Sequence, residues 1–377
     1  MTEGFAAIIL AAGHSSRMGD FKPLLSVGEK TALEHAVALF HGNGIRQVAV
    51  VSGHHGERLE PLLRQLGVTH IPNSLFRQGM FTSVQAGVRN LGDEVRAFFL
   101  QPVDVPLVRS QTVQTLLHAW LTGQPGIIQP AFNGIYGHPP LISTRYRSAI
   151  LDYHGEGGLK QLLRSFTGDT LLLELPDEQM LLDMDTPEDY QRLCRRWENR
   201  MLPTERECRH LLHHEFALPA EIVAHCLAVA RVAVQLADAL TAVGFMVNRD
   251  LVLAAALLHD CARRSRNHAR AGEKALRNLG FPDVAAVVGR HMDLDPPQTT
   301  EFSADELVFL ADKLVAGNRL VGIEQRFAEK QALTASKTRA SNSFERRLAC
   351  ARAIRHRVEK ALGQPLAEIL TDHEQTS

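Results

Sequence analysis

The chain has almost no net charge: 41 lysines and arginines face 42 aspartates and glutamates, a formal charge of -1 over 377 residues. Such a balance provides no global field to draw the protein to nucleic acid or an acidic membrane, so any phosphate recognition has to be local. Cysteine is scarce and unpatterned, since Cys194, Cys208, Cys226, Cys261 and Cys350 include no CxxC pair. That usage fits free thiols in a reducing compartment better than a disulfide framework. The N-terminal residues lack a basic segment followed by a long apolar run and a small-residue cleavage site, and no apolar stretch approaches membrane-spanning length. The expectation is a cytoplasmic protein with no nucleic-acid and no membrane partner. Repeats and low-complexity tracts are absent too, and 45% hydrophobic with 22% charged residues is ordinary for a globular chain.

What is present reads as two domains, because the length exceeds the usual size of one hydrophobic core. In the first half short apolar runs alternate with helix-like segments: AAIIL, TALEHAVALF, QVAVV, ERLEPLLRQL, AFFLQ, VQTLLHAWL. That alternation predicts an α/β domain with a mainly parallel sheet covered by helices. After LCRRWENRMLPTERECRH the β-type runs give way to amphipathic segments such as IVAHCLAVARVAVQLADAL, which predict an all-α domain. The polar stretch from Asn199 to Glu207 is the natural boundary. The expected domains are residues 1–198 and 209–366, with the pattern lost and the chain fraying after about Gln364.

In IILAAGHSSRMGDFKPLL an apolar strand runs into Ala11, Ala12 and Gly13, whose small side chains expose backbone N–H groups to an anion. Gly13 and Gly19 are separated by five residues with no Lys-Ser/Thr following, and the second glycine of GxGxxG is missing, so neither common nucleotide motif applies. Instead Arg17 and Lys22 offer two cations to fold over a triphosphate. Asp104 ends an apolar strand in QPVDVP, at the sheet edge where ligands of open α/β sheets collect, stiffened by Pro102 and Pro106. One carboxylate there suits Mg²⁺. In DMDTPEDY, Thr186 reads as a helix N-cap and Pro187 as the first helical residue, directly after Asp183 and Asp185. His54 and His55 read as a solvated loop.

LAAGHSSRMGDFKPLL resembles the signature LAAGxSxRMGxxKxLL of the MobA-like nucleotidyltransferases, in their molybdenum cofactor cytidylyltransferase branch. NSLFRQGMFTSVQAGV, QPVDVPLV, GHPPLIS, GEGGLKQLL and DMDTPEDY follow in the family's order. The resemblance implies a Rossmann-like domain in which Asp104 and one of Asp183 and Asp185, with Asp185 favoured, hold Mg²⁺. It implies that Gly79, Ser83 and Gly87 line the base and sugar, with tight helix packing as the alternative for Gly87, that His138 lies on the acceptor side, and that a LAAG turn, with Ala12, goes with CTP. The implied reaction joins CMP from CTP to a molybdopterin-type phosphate acceptor and releases pyrophosphate. A sugar or alcohol phosphate is the alternative acceptor.

In the second half LAAALLHDCAR ends an apolar helical run in His259 and Asp260. His225, His268, His291 and Asp312 stand on other predicted helices, and an unpaired imidazole or carboxylate among apolar residues is costly to bury. The order H…HD…H…H…D, with ADKLVAGNR, resembles the HD phosphohydrolase superfamily over most of residues 209–345. That resemblance implies His225, His259, Asp260 and Asp312 as core metal ligands, and His268 and His291 as the extra ligands of two-metal members. Mixed imidazole and carboxylate donors suit Fe, Mn, Zn or Co. The implied chemistry is hydrolysis of a phosphate ester or anhydride in a nucleotide-like compound, with a regulatory nucleotide-binding module as the alternative. His210, His213 and His214 read as a solvated face.

Overall fold

The computed structural model describes residues 2–13, 17–295, 299–334 and 341–370. Residues 14–16 of the glycine-containing turn lie outside that set. The chain forms two compact units that divide after Arg200.

The first unit is built on an eight-stranded sheet. Its strands are β1 (Phe5–Ala11), β2 (Gln47–Ser52), β3 (Thr69–Pro72), β4 (Ala97–Pro102), β5 (Ile127–Phe132), β6 (Ile135–Tyr136), β7 (Leu141–Ser143) and β8 (Thr170–Glu174). The order is β8-β5-β7-β4-β1-β2-β3, with β6 paired to β5. Every residue of β1 is buried, as expected of a strand with helices on both faces. Ala7 and Ile9 pack with Leu33, Val37 and Phe40 on one side, and Ile8 and Leu10 with Val84 and Val88 on the other. Most neighbours are parallel, but β7 runs antiparallel to both β4 and β5. The parallel register of β1 and β4 pairs Leu10 with Pro102. It therefore brings the Ala11–Gly13 turn and Asp104 to the same carboxyl edge of the sheet.

Gly87, expected to line a nucleotide or to permit tight helix packing, does the second and lets the helix Met80–Arg89 lie directly on the sheet. A Cβ there would stand 2.5 Å from Ile8 Cγ2 and 3.3 Å from Val51 Cγ2. Asp177, almost completely buried, ties the segment after β8 to the start of the helix Ser110–Gly123. Its carboxylate accepts from Arg109 Nη1 at 3.1 Å, Arg109 N at 2.9 Å, Thr112 Oγ1 at 2.6 Å and Gln179 N at 3.1 Å.

Among the described residues the second unit packs the helices Ala220–Ala242, Arg249–Leu258, His268–Asn278, Pro282–Arg290, Ala304–Leu314, Ile323–Thr334 and Ser341–Leu362 around one apolar core. Four features differ from the sequence expectations. A two-stranded hairpin, Val315–Ala316 against Arg319–Leu320, interrupts the helices. Ala220–Ala242 is long and apolar enough to cross a membrane by length and composition, although half of its most apolar window is buried within the protein. Leu366 and Leu370, beyond the point where fraying was expected, are buried in the core as the first residue and the C-cap of the turn-length helix Leu366–Ile369. His210 also differs, being buried with its ring 4.5 Å from that of His214, whereas His213 and His214 are exposed.

Candidate functional site

In the first unit the sheet edge carries a cavity of about 300 Å³ lined by Ala11, Ala12, Gly13, Lys22, Gly79, Ser83 and Asp104 among others. Lys22 is its electrostatic centre. Nζ donates to Asp185 Oδ1 at 2.6 Å and to Asp104 Oδ2 at 3.3 Å, so one ammonium joins two carboxylates 81 positions apart in sequence. Arg17, largely exposed, donates to the second oxygen of Asp185 at 2.7 Å. The hydrogen bond from Lys22, outweighing partial burial, holds the Asp185 carboxyl below the usual carboxylate range, with help from the Arg17 charge. Asp183 moves the other way: loss of solvent around it and the negative charges of Asp185, Asp104 and Asp189 push its carboxyl up. Of the two aspartates in DMDTPEDY, Asp185 is the one joined to Lys22 and Arg17. Thr186 holds this segment by a capping box, accepting from Asp189 N at 3.2 Å while Asp189 Oδ2 accepts from Thr186 N at 3.1 Å, with Pro187 at the first turn.

Gly79 precedes the helix Met80–Arg89 with φ of +113°, a backbone conformation that favours glycine, and it borders both this cavity and a larger one. The larger cavity, about 1070 Å³, shares Leu10, Gly79, Met80 and Pro102 with the first. His138 lines it, follows Gly137 from the GHPP string, and has a buried Nδ1 with no hydrogen-bond partner among the described residues. Burial lowers its imidazole pKa, so the ring is neutral at pH 7. Ser83 is almost fully buried and accepts from Asn73 Nδ2 at 2.9 Å. Sequence reasoning singled out Ser83 but not Asn73, which also donates to Thr82 Oγ1 at 2.9 Å and takes the Leu75 N–H at 3.0 Å, fixing the loop ahead of the helix. The exposed His55, paired with Glu57 at 3.3 Å, stands outside both cavities, as does His54.

In the second unit all six expected ligands converge. Two triads, His225–His259–Asp260 and Asp260–His268–His291, each bring their ligand atoms within 4.8 Å of one another, and Asp260 belongs to both. Asp312 closes the first triad, with Oδ1 3.2 Å from His225 Nε2 and 3.8 Å from His259 Nε2. Backbone carbonyls orient the rings: Nδ1–H of His225 donates to Gly317 O at 2.7 Å, that of His259 to Ala256 O at 2.8 Å, and that of His291 to Val288 O at 2.7 Å. Each Nε2 is thereby turned towards the cluster. His259 Nε2, His291 Nε2 and Asp260 Oδ1 are buried without a hydrogen-bond partner among the described residues. Orphaned donors of this kind, with imidazoles in the metal-binding tautomer, fit divalent transition ions.

The electrostatics agree with that fit. Burial drives the His259 imidazole down to about 4, so it stays neutral. Burial also raises Asp260 and Asp312, but positive neighbours outweigh it and leave both ionised. For Asp260 the polar edge of the His291 ring faces the carboxylate, and the Arg263 guanidinium supplies the positive charge. For Asp312 the positive neighbours are chiefly Lys313, whose ammonium is 2.6 Å away and buried over the Phe309 ring, and His225. His225 is raised, because the Asp312 carboxylate outweighs its burial. A cavity of about 170 Å³ opens beside the cluster and is lined also by Glu221, Arg263 and Arg326. These three were missed from sequence. Only Arg263 left a signal, standing three residues after Asp260, with Nη1 3.5 Å from Asp260 Oδ1.

Comparison with known proteins follows the same division. Residues 7–171 match the MobA-like NTP transferase domain, and residues 222–317 match the HD domain. The molybdenum cofactor cytidylyltransferase of Escherichia coli strain K12 is 32% identical over 187 residues, covering 48% of this chain and 92% of that protein. Among solved structures, a nucleotidyl transferase from Methanothermobacter aligns with a TM-score of 0.46 at 22% identity, covering 52% of this chain and 98% of that one. A Mycobacterium tuberculosis protein crystallised as a complex with manganese aligns with a TM-score of 0.42 at 20% identity, covering 52% of this chain and 100% of that one. The chain belongs to the MobA-like NTP transferase family, and it carries an HD domain in its second half.

Proposed function

We propose that the first unit transfers the cytidylyl group of CTP to the phosphate of a molybdopterin-type acceptor, and that the second hydrolyses a phosphate ester or anhydride. The observation that carries the transfer reading is Lys22 held between Asp104 and Asp185 at a small cavity that borders a larger one. An oxygen of the acceptor phosphate bonds to the α-phosphorus of CTP as the bond from that phosphorus to the bridging oxygen of the β-phosphate breaks. The electron pair leaves with pyrophosphate. Backbone N–H groups of Ala11–Gly13, with Arg17 and Lys22, hold the triphosphate and offset the charge that builds on the leaving group. Asp104 and Asp185 would hold Mg²⁺, which supplies further charge neutralisation to the phosphates. The relative from Escherichia coli and the alanine at position 12 support CTP and the cofactor-type acceptor.

In the HD unit, His225, His259, Asp260 and Asp312 would hold one divalent ion, Fe, Mn, Zn or Co, and Asp260, His268 and His291 a second. Such ions supply Lewis acidity towards a phosphoryl group and the attacking water. Arg263 and Arg326 bring positive charge to the adjoining cavity, where a phosphate oxyanion would dock.

Incubating the protein with molybdopterin, Mg²⁺ and each nucleoside triphosphate in turn tests the transfer. Dinucleotide and pyrophosphate are expected with CTP and lost in Asp104→Ala; near-normal transfer in that variant overturns the metal assignment. Metal analysis of the purified protein and of His259→Ala tests the second half. Absence of transition metal, with phosphate release unchanged in the variant, refutes it.

A further inference from the structure

A second concave surface in the HD unit lies apart from the residues that surround the metal cluster. It encloses about 500 Å³ between the helices Glu205–His210, Ala220–Ala242 and Arg249–Leu258, and the tip of the hairpin Val315–Leu320. Leu227, Leu253 and Leu257 give it an apolar floor, and Arg209, Arg231 and Arg249 stand around it with Glu205 as the lone carboxylate. Arg209 and Arg249 are each held by an exposed acidic neighbour, Glu205 at 2.7 Å and Asp238 at 2.8 Å. Exposed pairs of this kind are weak and yield readily to a stronger anion.

From this combination we infer a second nucleotide site, one that takes a nucleoside phosphate with its base on the leucine floor and its phosphates among the three guanidiniums. The volume lies within the range of small-molecule sites. Guanidinium groups serve both halves of such a ligand, by forked hydrogen bonds to phosphate and by stacking on a flat ring. Inorganic phosphate alone would leave the floor uncovered, and a neutral apolar molecule would leave the arginines unused. The same chain binds nucleoside triphosphates by family, so nucleotides are the amphiphilic anions it meets.

The site is coupled to the metal cluster by adjacent residues that face each way. Asn318 lines the groove, while Gly317 beside it accepts the Nδ1–H of His225. Ala224 lines the groove, while His225 beside it faces Asp312. A nucleotide that shifts the 317–318 turn therefore alters the support of a metal-ligand candidate, which is a coupling between two sites in the thermodynamic sense. The coupling half of this inference rests on the proposed hydrolase reading; the binding half does not.

The test titrates CTP, GTP, ATP and UTP, their monophosphates and inorganic phosphate into the full chain carrying Lys22→Ala, which silences the transferase cavity. Binding of at least one nucleotide at one per chain is expected, with inorganic phosphate weaker. Adding Arg231→Glu and Arg249→Glu should weaken it at least tenfold while helical circular dichroism is retained. The inference is overturned if no nucleotide binds, or if the groove variants bind as well as their parent. In the wild-type background the same nucleotide should change the rate of p-nitrophenyl phosphate hydrolysis at least twofold, and the groove variants should keep the basal rate but lose the response. A response that survives in them overturns the coupling, whereas absence of hydrolysis in every protein refutes the hydrolase reading and leaves the binding result standing.

Discussion

Replacing Asp177 with alanine should destabilise the first unit by about 3–5 kcal/mol, the range for breaking one side of a buried ion pair. The side chains of Asp177 and Arg109 are 3% and 8% exposed, so water cannot take over the lost partner. The variant removes the acceptor shared by the guanidinium, the Thr112 hydroxyl and the backbone N–H groups of Arg109 and Gln179; the guanidinium keeps the Pro176 carbonyl at 3.2 Å but loses the charge of Asp177. For a domain of this size each kcal/mol moves the midpoint by about 2–4 °C, so Tm should fall by roughly 6–20 °C. The protein supplies its own selective probe, because both tryptophans, Trp120 and Trp197, lie in the first unit. Tryptophan fluorescence during thermal or urea unfolding therefore follows that unit. Replacing both partners, Asp177→Ala with Arg109→Met, should recover much of the loss, since the orphaned charge is then gone. A single-variant shift below about 2 °C would refute the reasoning, as would a double variant less stable than the single.

Further consequences are as direct. Lys22→Met leaves Asp104 and Asp185 without their shared cation, and CTP-dependent transfer should fall at least about 100-fold; steady-state kinetics showing more than a tenth of the activity would refute it. Gly87→Ala gains about 1 kcal/mol of helix propensity but drives a methyl into Ile8, and urea unfolding should show a net loss of about 1–3 kcal/mol. The metal-free HD unit should lose stability as pH falls. His259 is depressed by burial to about 4 from an ordinary 6.5, so the unfolded chain takes up a proton that the folded one refuses. The penalty grows from pH 6.5 downwards and is complete below about 4, reaching roughly 3 kcal/mol. His268, also depressed by burial, adds to it, while His225, raised by Asp312, acts oppositely at higher pH. Denaturation of metal-free protein followed by far-ultraviolet circular dichroism at pH 7 and pH 5 should show the difference; equal stability at both would dispose of the argument.

The parallel core of the first unit was legible because β1, β2 and β4 are short apolar runs separated by helical periodicity. The antiparallel insertion of β7 was not, since its three buried residues carry no signal of which neighbour they join. In the HD unit the ligand order was readable, whereas the sharing of Asp260 between two triads depends on helices that meet only in three dimensions. Local motifs such as the Thr186 capping box survive translation to structure because every partner lies within three residues. Arg109 and Asp177 do not, being 68 residues apart with nothing in either neighbourhood to announce the pair. Gly87 stood open between nucleotide lining and helix packing for a related reason: a small residue admits a ligand or a neighbouring strand equally well, and only the position of Ile8 decides.

The lysine bridging two acids has one more implication. Two carboxylates on separate loops repel each other unless something positive is wedged between them, and here the wedge is tethered to the same polypeptide. The resting enzyme consequently keeps its acidic jaws aligned before any visitor arrives, and a mobile cation drawn from solution would have to displace a covalently attached rival. Sensitivity of catalysis to the length of that one side chain, tested with ornithine or homolysine in its place, would measure how closely the tether is cut to fit.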